Sequence, residues 1–149
     1  MTATAAKLAE FDAVQDVRLN VLESSFVRRT SNELAEDRGT IEVQGRIDIS
    51  RGDGVTLGIL IVLEHETPTV SGKLSASVQY DWLDAETDES ALLEFARQYG
   101  VPTALPAATA LLTSEFLRLG VRTTFLPPLM AERVAEILVD GYQAPKAAD

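Results

Sequence analysis

The single histidine of the chain, His65, stands between Glu64 and Glu66 in the stretch LEHE. An imidazole beside carboxylates is a minimal set for general base chemistry, in which one carboxylate would orient the ring. Residues adjacent along a strand point to opposite faces, however, so neither glutamate is set to hold His65. A solvated or strand-end histidine is the expected state. The acid-rich stretch DWLDAETDE, from Asp81 to Glu89, has the charge of a calcium loop without its spacing. The required glycine and the closing glutamate are misplaced, and acids there suit the first turn of a helix. The glycines of Arg51-Gly52-Asp53-Gly54 serve a turn, because no strand-to-helix transition follows them to cradle a phosphate. No serine lies in a nucleophile-elbow pattern. Cysteine is absent, which excludes disulfides and thiolate metal sites. Nothing in these residues supports an enzyme, and neither a cofactor nor a metal is expected.

The informative constellation is hydrophobic. Tyr80 and Trp82, then Leu92, Leu93, Phe95 and Tyr99, then Phe125, Leu126 and Met130 gather around one connection between elements. Such residues can close a core. They can also line a groove, since aromatic rings and methionine adapt to unrelated apolar sequences.

The elements that must position them follow from hydrophobic periodicity. Val17 to Arg28 (VRLNVLESSFVR) opens with alternation at Val17, Leu19 and Val21 and carries Phe26 near its end. The polar stretch RRTSNELAEDRG reads as a loop. Thr40 to Ile49 alternates, with Ile41, Val43, Ile47 and Ile49 inward. After the turn at Gly52 to Gly54, GVTLGILIVLEHE is apolar on both faces: Val55, Leu57, Ile59, Ile61 and Leu63 on one, Leu60 and Val62 on the other. A turn at Pro68 leads to VSGKLSASVQYDWL, where Val70, Leu74, Ala76, Val78, Tyr80 and Trp82 share a face. Short connectors predict a four-stranded antiparallel meander.

The period then changes to that of a helix. DAETDESALLEFARQYG offers Thr87 or Asp88 as N-cap and Gly100 as the stop. A second helix is predicted to begin near Pro106 and end at Gly120. Leu105, Ala108, Leu112, Phe116 and Leu119 cover one side of it, while Leu111 and Leu117 lie off that side. A helix apolar on several sides is usually buried on several sides, which one sheet cannot achieve. Leu129 to Val139 reads as a last amphipathic helix, with Met130, Val134, Ile137 and Leu138 together. The fold class is thus α+β: an antiparallel sheet, a crossover segment and two to three helices.

A chain of 149 residues with 46% hydrophobic and 24% charged content suits one domain, 1–149, with residues 1–15 and 142–149 expected to be mobile tails. Acids outnumber bases by 23 to 13, for a net charge of −10. Nucleic acid and anionic membranes are poor partners for that balance; basic or unfolded chains are better ones. No segment approaches the roughly 20 apolar residues that span a bilayer, and the N-terminus lacks a signal-peptide core. A soluble, cytoplasmic protein is expected.

The order of elements resembles that of the SecB export-chaperone family. The sharpest local likeness is LPAATALLTSEFLRLGVRTTFLPPL, residues 105 to 129, with LESSFV in the first strand as a second. The resemblance implies a homotetramer, a dimer of dimers, whose long helices are sandwiched between sheets of different subunits. Leu105, Ala108, Leu111, Leu112, Phe116 and Leu119 would then meet another chain. It also implies holding of unfolded polypeptides, without ATP, in grooves lined by the aromatic constellation above. Family members dock on an export motor ATPase through acids on the outer sheet face. Glu23 matches one such acid, but Val27 stands where the second falls, and the fourth-strand acid is replaced within Ser75 to Ser77. Those departures speak against the motor and leave Glu23, Leu60 and Val62 as a partner-facing outer patch. Divergent members serve toxin–antitoxin systems, which makes an antitoxin a second kind of client. The competing readings are a module dedicated to one partner, and a small-ligand binder with His65 or several acids converging in an internal pocket.

Overall fold

The computed structural model describes residues 8–9, 16–28, 40–67, 70–120 and 128–142. The four alternating stretches form strands β1 (Asp16–Arg28), β2 (Thr40–Arg51), β3 (Val55–Glu66) and β4 (Val70–Trp82). All pairs are antiparallel, in the order β1-β4-β3-β2. Strands β2 to β4 are a meander joined by tight turns. At one turn Thr67 takes the amide of Val70 on its hydroxyl and donates that hydroxyl to the Val70 carbonyl. The first strand departs from the expectation: it lies beside β4 and not beside β2. A connection as long as residues 29–39 allows such a return, giving a Greek key. That loop, the Pro68 turn and the linker 121–127 lie outside the described residues.

Strand β1 also changes face midway. Val17, Leu19 and Val21 stand opposite Tyr80, Val78 and Ala76 on the helix side of the sheet. A bulge at Leu22 shifts the register, so Ser24 and Phe26 take that side beyond it, opposite Leu74 and Gly72. This is why the apolar parity of VRLNVLESSFVR is broken in the sequence.

One helical run crosses the sheet. Helix α1 (Glu89–Phe95) is capped by Asp88, whose carboxylate accepts from the amide and hydroxyl of Ser90. A π-helical turn, Ala96–Gly100, then leads into helix α2 (Val101–Arg118). Gly100 does not stop the helix as expected; it stays right-handed, with the Ile59 side chain seated where a Cβ would be. The wide π turn precedes Pro102, whose ring has no N–H to donate and crowds the carbonyl four residues back. Gly120 ends the run as expected, at φ +76°. Helix α3 (Pro128–Asp140) packs on β2 and the π turn, burying Val134, Ala135 and Leu138 while Ile137 stays exposed. No helix among the described residues is long and apolar enough to cross a membrane.

The core lies between the sheet and the helices. Val55, Leu57, Ile59, Ile61 and Leu63 are at most 1% exposed, beneath α2 on β3 and β4.

Candidate functional site

The end of β4 delivers Tyr80 and Trp82 to the helix side, and the α1 and π-turn segment folds back over them. Phe95 meets both rings edge-on, with centroids 5.0 Å from Tyr80 and 4.9 Å from Trp82. Tyr99 leans on Phe95 from outside at 5.6 Å. Burial pushes the Tyr80 phenol above its usual pKa, opposed by a hydrogen bond with Thr103. Edge-to-face packing of this kind stabilises by about 0.5–1.5 kcal/mol per pair beyond the area buried.

The residues expected to line a groove are found in different states within the chain. Tyr80, Trp82, Leu92 and Phe95 are buried within the chain, because each ring is covered by its neighbours. Leu93 and Met130 are half-buried, and Tyr99 is exposed at the rim. Leu83, which the sequence did not single out, projects beside Trp82 at 71% exposure. Phe125 and Leu126 lie outside the described residues.

Leu8 also meets this cluster. Leu8 is buried, and Trp82 Nε1 donates to its carbonyl at 3.0 Å. Leu8 lies within the stretch 1–15 expected to be a tail, and residues 1–7 and 10–15 lie outside the described residues. A lone leucine in an alanine-rich stretch has no periodicity, so no sequence signal marked it. The contact joins Leu8 to the aromatic end of β4 through a main-chain hydrogen bond.

The residues expected at a subunit interface already pack within the chain in part. Leu105, Ala108, Leu112 and Phe116 are buried by the chain's own sheet; Leu111 and Leu119 are half-buried. The open apolar surface lies elsewhere, on β1. Val17, Leu19 and Val21 are 54%, 48% and 50% exposed although they continue the core columns of β4. The helix layer meets β1 at Phe26, whose ring lies 5.6 Å from Phe116.

His65 occupies the same helix-side row, between Ile41 and Gly72, with Phe116 at 4.7 Å. It is 1% exposed and not solvated, and its Nδ1 has no hydrogen-bond partner. Burial holds the imidazole below its usual pKa. A buried ring whose Nδ1 meets no orienting group among the described residues is a poor setting for general base work.

The outer face carries Glu23, Leu60 and Val62 as expected, in a polar setting. Rows read across the strands as Glu23, Ser75, Val62, Gln44 and as Asn20, Ser77, Leu60, Arg46. Lys73 lies between Glu23 and Glu64 at 3.9 and 3.7 Å, so the one matching acid is already ion-paired. Leu22, Leu60 and Gly58 share a shallow hollow of about 290 Å³. Among the described residues no cluster of histidine and acids could hold a metal.

No family model matches the chain, and no curated protein does. Among solved structures it is similar to the SecB-like chaperone Rv1957 of Mycobacterium tuberculosis, in complex with a ChAD peptide from the Rv1956 HigA1 antitoxin. The TM-score is 0.57 at 16% identity, over 83% of this chain and 94% of that one. The shared feature is the fold, a SecB-like α+β arrangement of an antiparallel sheet followed by a long and a shorter helix.

Proposed function

We propose that this protein is a polypeptide-binding chaperone that acts without ATP or any cofactor, holding apolar segments of unfolded or aggregation-prone chains. It is not an enzyme in this reading. The observation that carries it is the aromatic cluster's hold on a piece of polypeptide, through a buried leucine and a hydrogen bond from Trp82 to the main chain. Recognition of side-chain bulk and backbone, without a specific side-chain polar group, is what a binder of varied sequences requires. Leu83 and Tyr99 extend the same surface outward. The shared fold with a chaperone solved on an antitoxin peptide supports the reading.

That antitoxin peptide also favours a second reading, a chaperone dedicated to one antitoxin-like partner. Isolation from the native host separates the two: a single stoichiometric partner supports the second, many heterogeneous clients the first. With the outer acid already paired to Lys73, docking on an export motor has no support. Self-association, up to the tetramer, would use the open strip Val17, Leu19 and Val21 on an edge strand.

Suppression of light scattering by an unfolded client tests the proposal. The wild type should suppress aggregation, and Leu83→Ser with Tyr99→Ala should lose several-fold of that effect while keeping the fold. A wild-type chain that binds no unfolded polypeptide at low or moderate salt overturns it.

A further inference from the structure

Two irregularities of the sheet meet on its outer face, on the side away from the aromatic cluster. Gly58 lies within β3, between Asp48 of β2 and Gln79 of β4. A glycine inside a strand weakens it, because it gives up the most backbone freedom and packs no side chain. Gly45 and Gly72 have a steric reason, since a Cβ there would run into the Leu60 carbonyl or the rings of Phe26 and Phe116. Gly58 has none. Its φ is not positive, and the nearest atom to a Cβ would be the Asp48 carbonyl oxygen at 3.8 Å. The second irregularity is the bulge of β1, which adds Leu22 to the same face, unpaired with β4 and 63% exposed. Both residues line the hollow of about 290 Å³, together with Leu60.

The chemistry of the lining defines the guest. Its two charges, Arg46 and Asp48, pair with each other at 3.0 Å, so the hollow asks for no counter-charge. Asn20, Ser77 and Gln79 bring uncharged donors and acceptors. Ligand pockets run from about 300 to 1,000 Å³, and a hollow at the bottom of that range suits one side chain better than a cofactor. A second copy is a poor guest. Beyond the hollow the face carries Glu23, Glu42, Glu64 and Asp81 against Arg18 and Lys73, and two such faces would bring like charges together. We propose that the hollow is a docking site for a protein partner, seating one bulky aliphatic or aromatic side chain over Gly58. The partner's uncharged peptide groups bond to Asn20, Ser77 and Gln79. An apolar centre with a polar rim is the anatomy of such an anchor. The site lies across the sheet from Trp82, so it is independent of the polypeptide-binding reading above, and both sites can be filled at once.

The probe is N-acetyl-leucinamide, one apolar side chain between two uncharged peptide groups, with its glycine and lysine counterparts as controls. Added at millimolar concentration to the isotope-labelled full chain, it should shift the amide resonances of Gly58, Ser77 and Gln79 in a saturable way. The glycine and lysine probes should not. Gly58→Val fills the hollow and should abolish the shifts at Ser77 and Gln79. Should that variant lose its fold, Leu22→Ser removes an apolar wall and should weaken them. Gly58→Ala should raise the melting temperature by about 1–4 °C, because its Cβ enters open space. A lowered melting temperature would show that the strand itself needs the glycine, and the proposal falls. It falls also if the leucine probe shifts none of the three resonances, or if the lysine or glycine probe shifts them equally. Shifts confined to Leu83 and Tyr99 assign apolar groups to the aromatic cluster alone, which overturns this site and leaves the chaperone reading standing. A native mass that drops in Gly58→Val makes the guest a second copy and overturns the proposal as well.

Discussion

The first half of strand β1, before its bulge, and strand β3 carry the same alternating apolar pattern on the same side of one sheet, and they end in opposite environments. The odd residues of β3 from Val55 to Leu63 are at most 1% exposed, while Val17, Leu19 and Val21 of β1 are about half exposed, at 54%, 48% and 50%. Both sets are in register with the buried column of β4. The difference is cover. Helix α2 lies over β3 and β4, and α3 over β2, so at this end of the sheet β1 extends beyond the helical layer. Alternation reports which way a side chain points; it does not report what lies above it. An apolar column that the fold directs inward and then leaves open is what the proposed self-association would cover.

The comparison can be broken most forcefully at its buried member. Leu57→Ala removes a fully enclosed side chain and should lower stability by about 2–5 kcal/mol, as read from urea unfolding. A loss below about 1 kcal/mol would mean that β3 is not the closed column described. A smaller effect comes from the row where both strands meet the helix. His65 is buried neutral, with its pKa below the ordinary value of 6.5, because desolvation disfavours the charged form. Its row holds Ile41, Gly72 and Phe26, and Phe116 faces it from α2, so the described groups around the ring supply no charge. The unfolded chain takes up the proton first as pH falls. Stability on this account is complete above about pH 6.5 and declines from there down to the folded-state pKa. Melting temperature measured from pH 7.5 to 5 should fall more steeply for the wild type than for His65→Phe. Parallel profiles would show that the ring is not buried neutral. The smallest effect on stability belongs to the open member. Leu19→Thr with Val21→Thr keeps strand propensity and should change stability by less than about 1 kcal/mol. Native mass should nevertheless shift toward monomer. A large loss of stability with unchanged assembly would move this strip into the core.

Much of the fold was legible because its signals are local. Each strand lies within a few residues of its predicted limits, Asp88 caps the first helix, and Gly120 ends the long one. His65 was legible in part: it continues the odd-numbered column of Leu57 to Leu63, and that parity outweighs its place near the strand end. The site was less legible. Tyr80, Trp82, Leu92 and Phe95 have the composition of a groove, yet the rings satisfy one another and close. Leu83 and Leu8 became visible only through what surrounds them.

What the sequence determined by itself, then, is the set of elements and, away from the bulge in β1, the face most strand side chains take, since both follow from periods of two and 3.6 residues along the chain. What only the tertiary structure decided is the partner of β1, the continuous helical run through Gly100, and which apolar residues are covered. Cover depends on segments distant in the chain: Leu8 against Trp82, Phe116 against Phe26 and His65. Burial is a property of the neighbours that a fold brings together, and a periodicity contains no information about them.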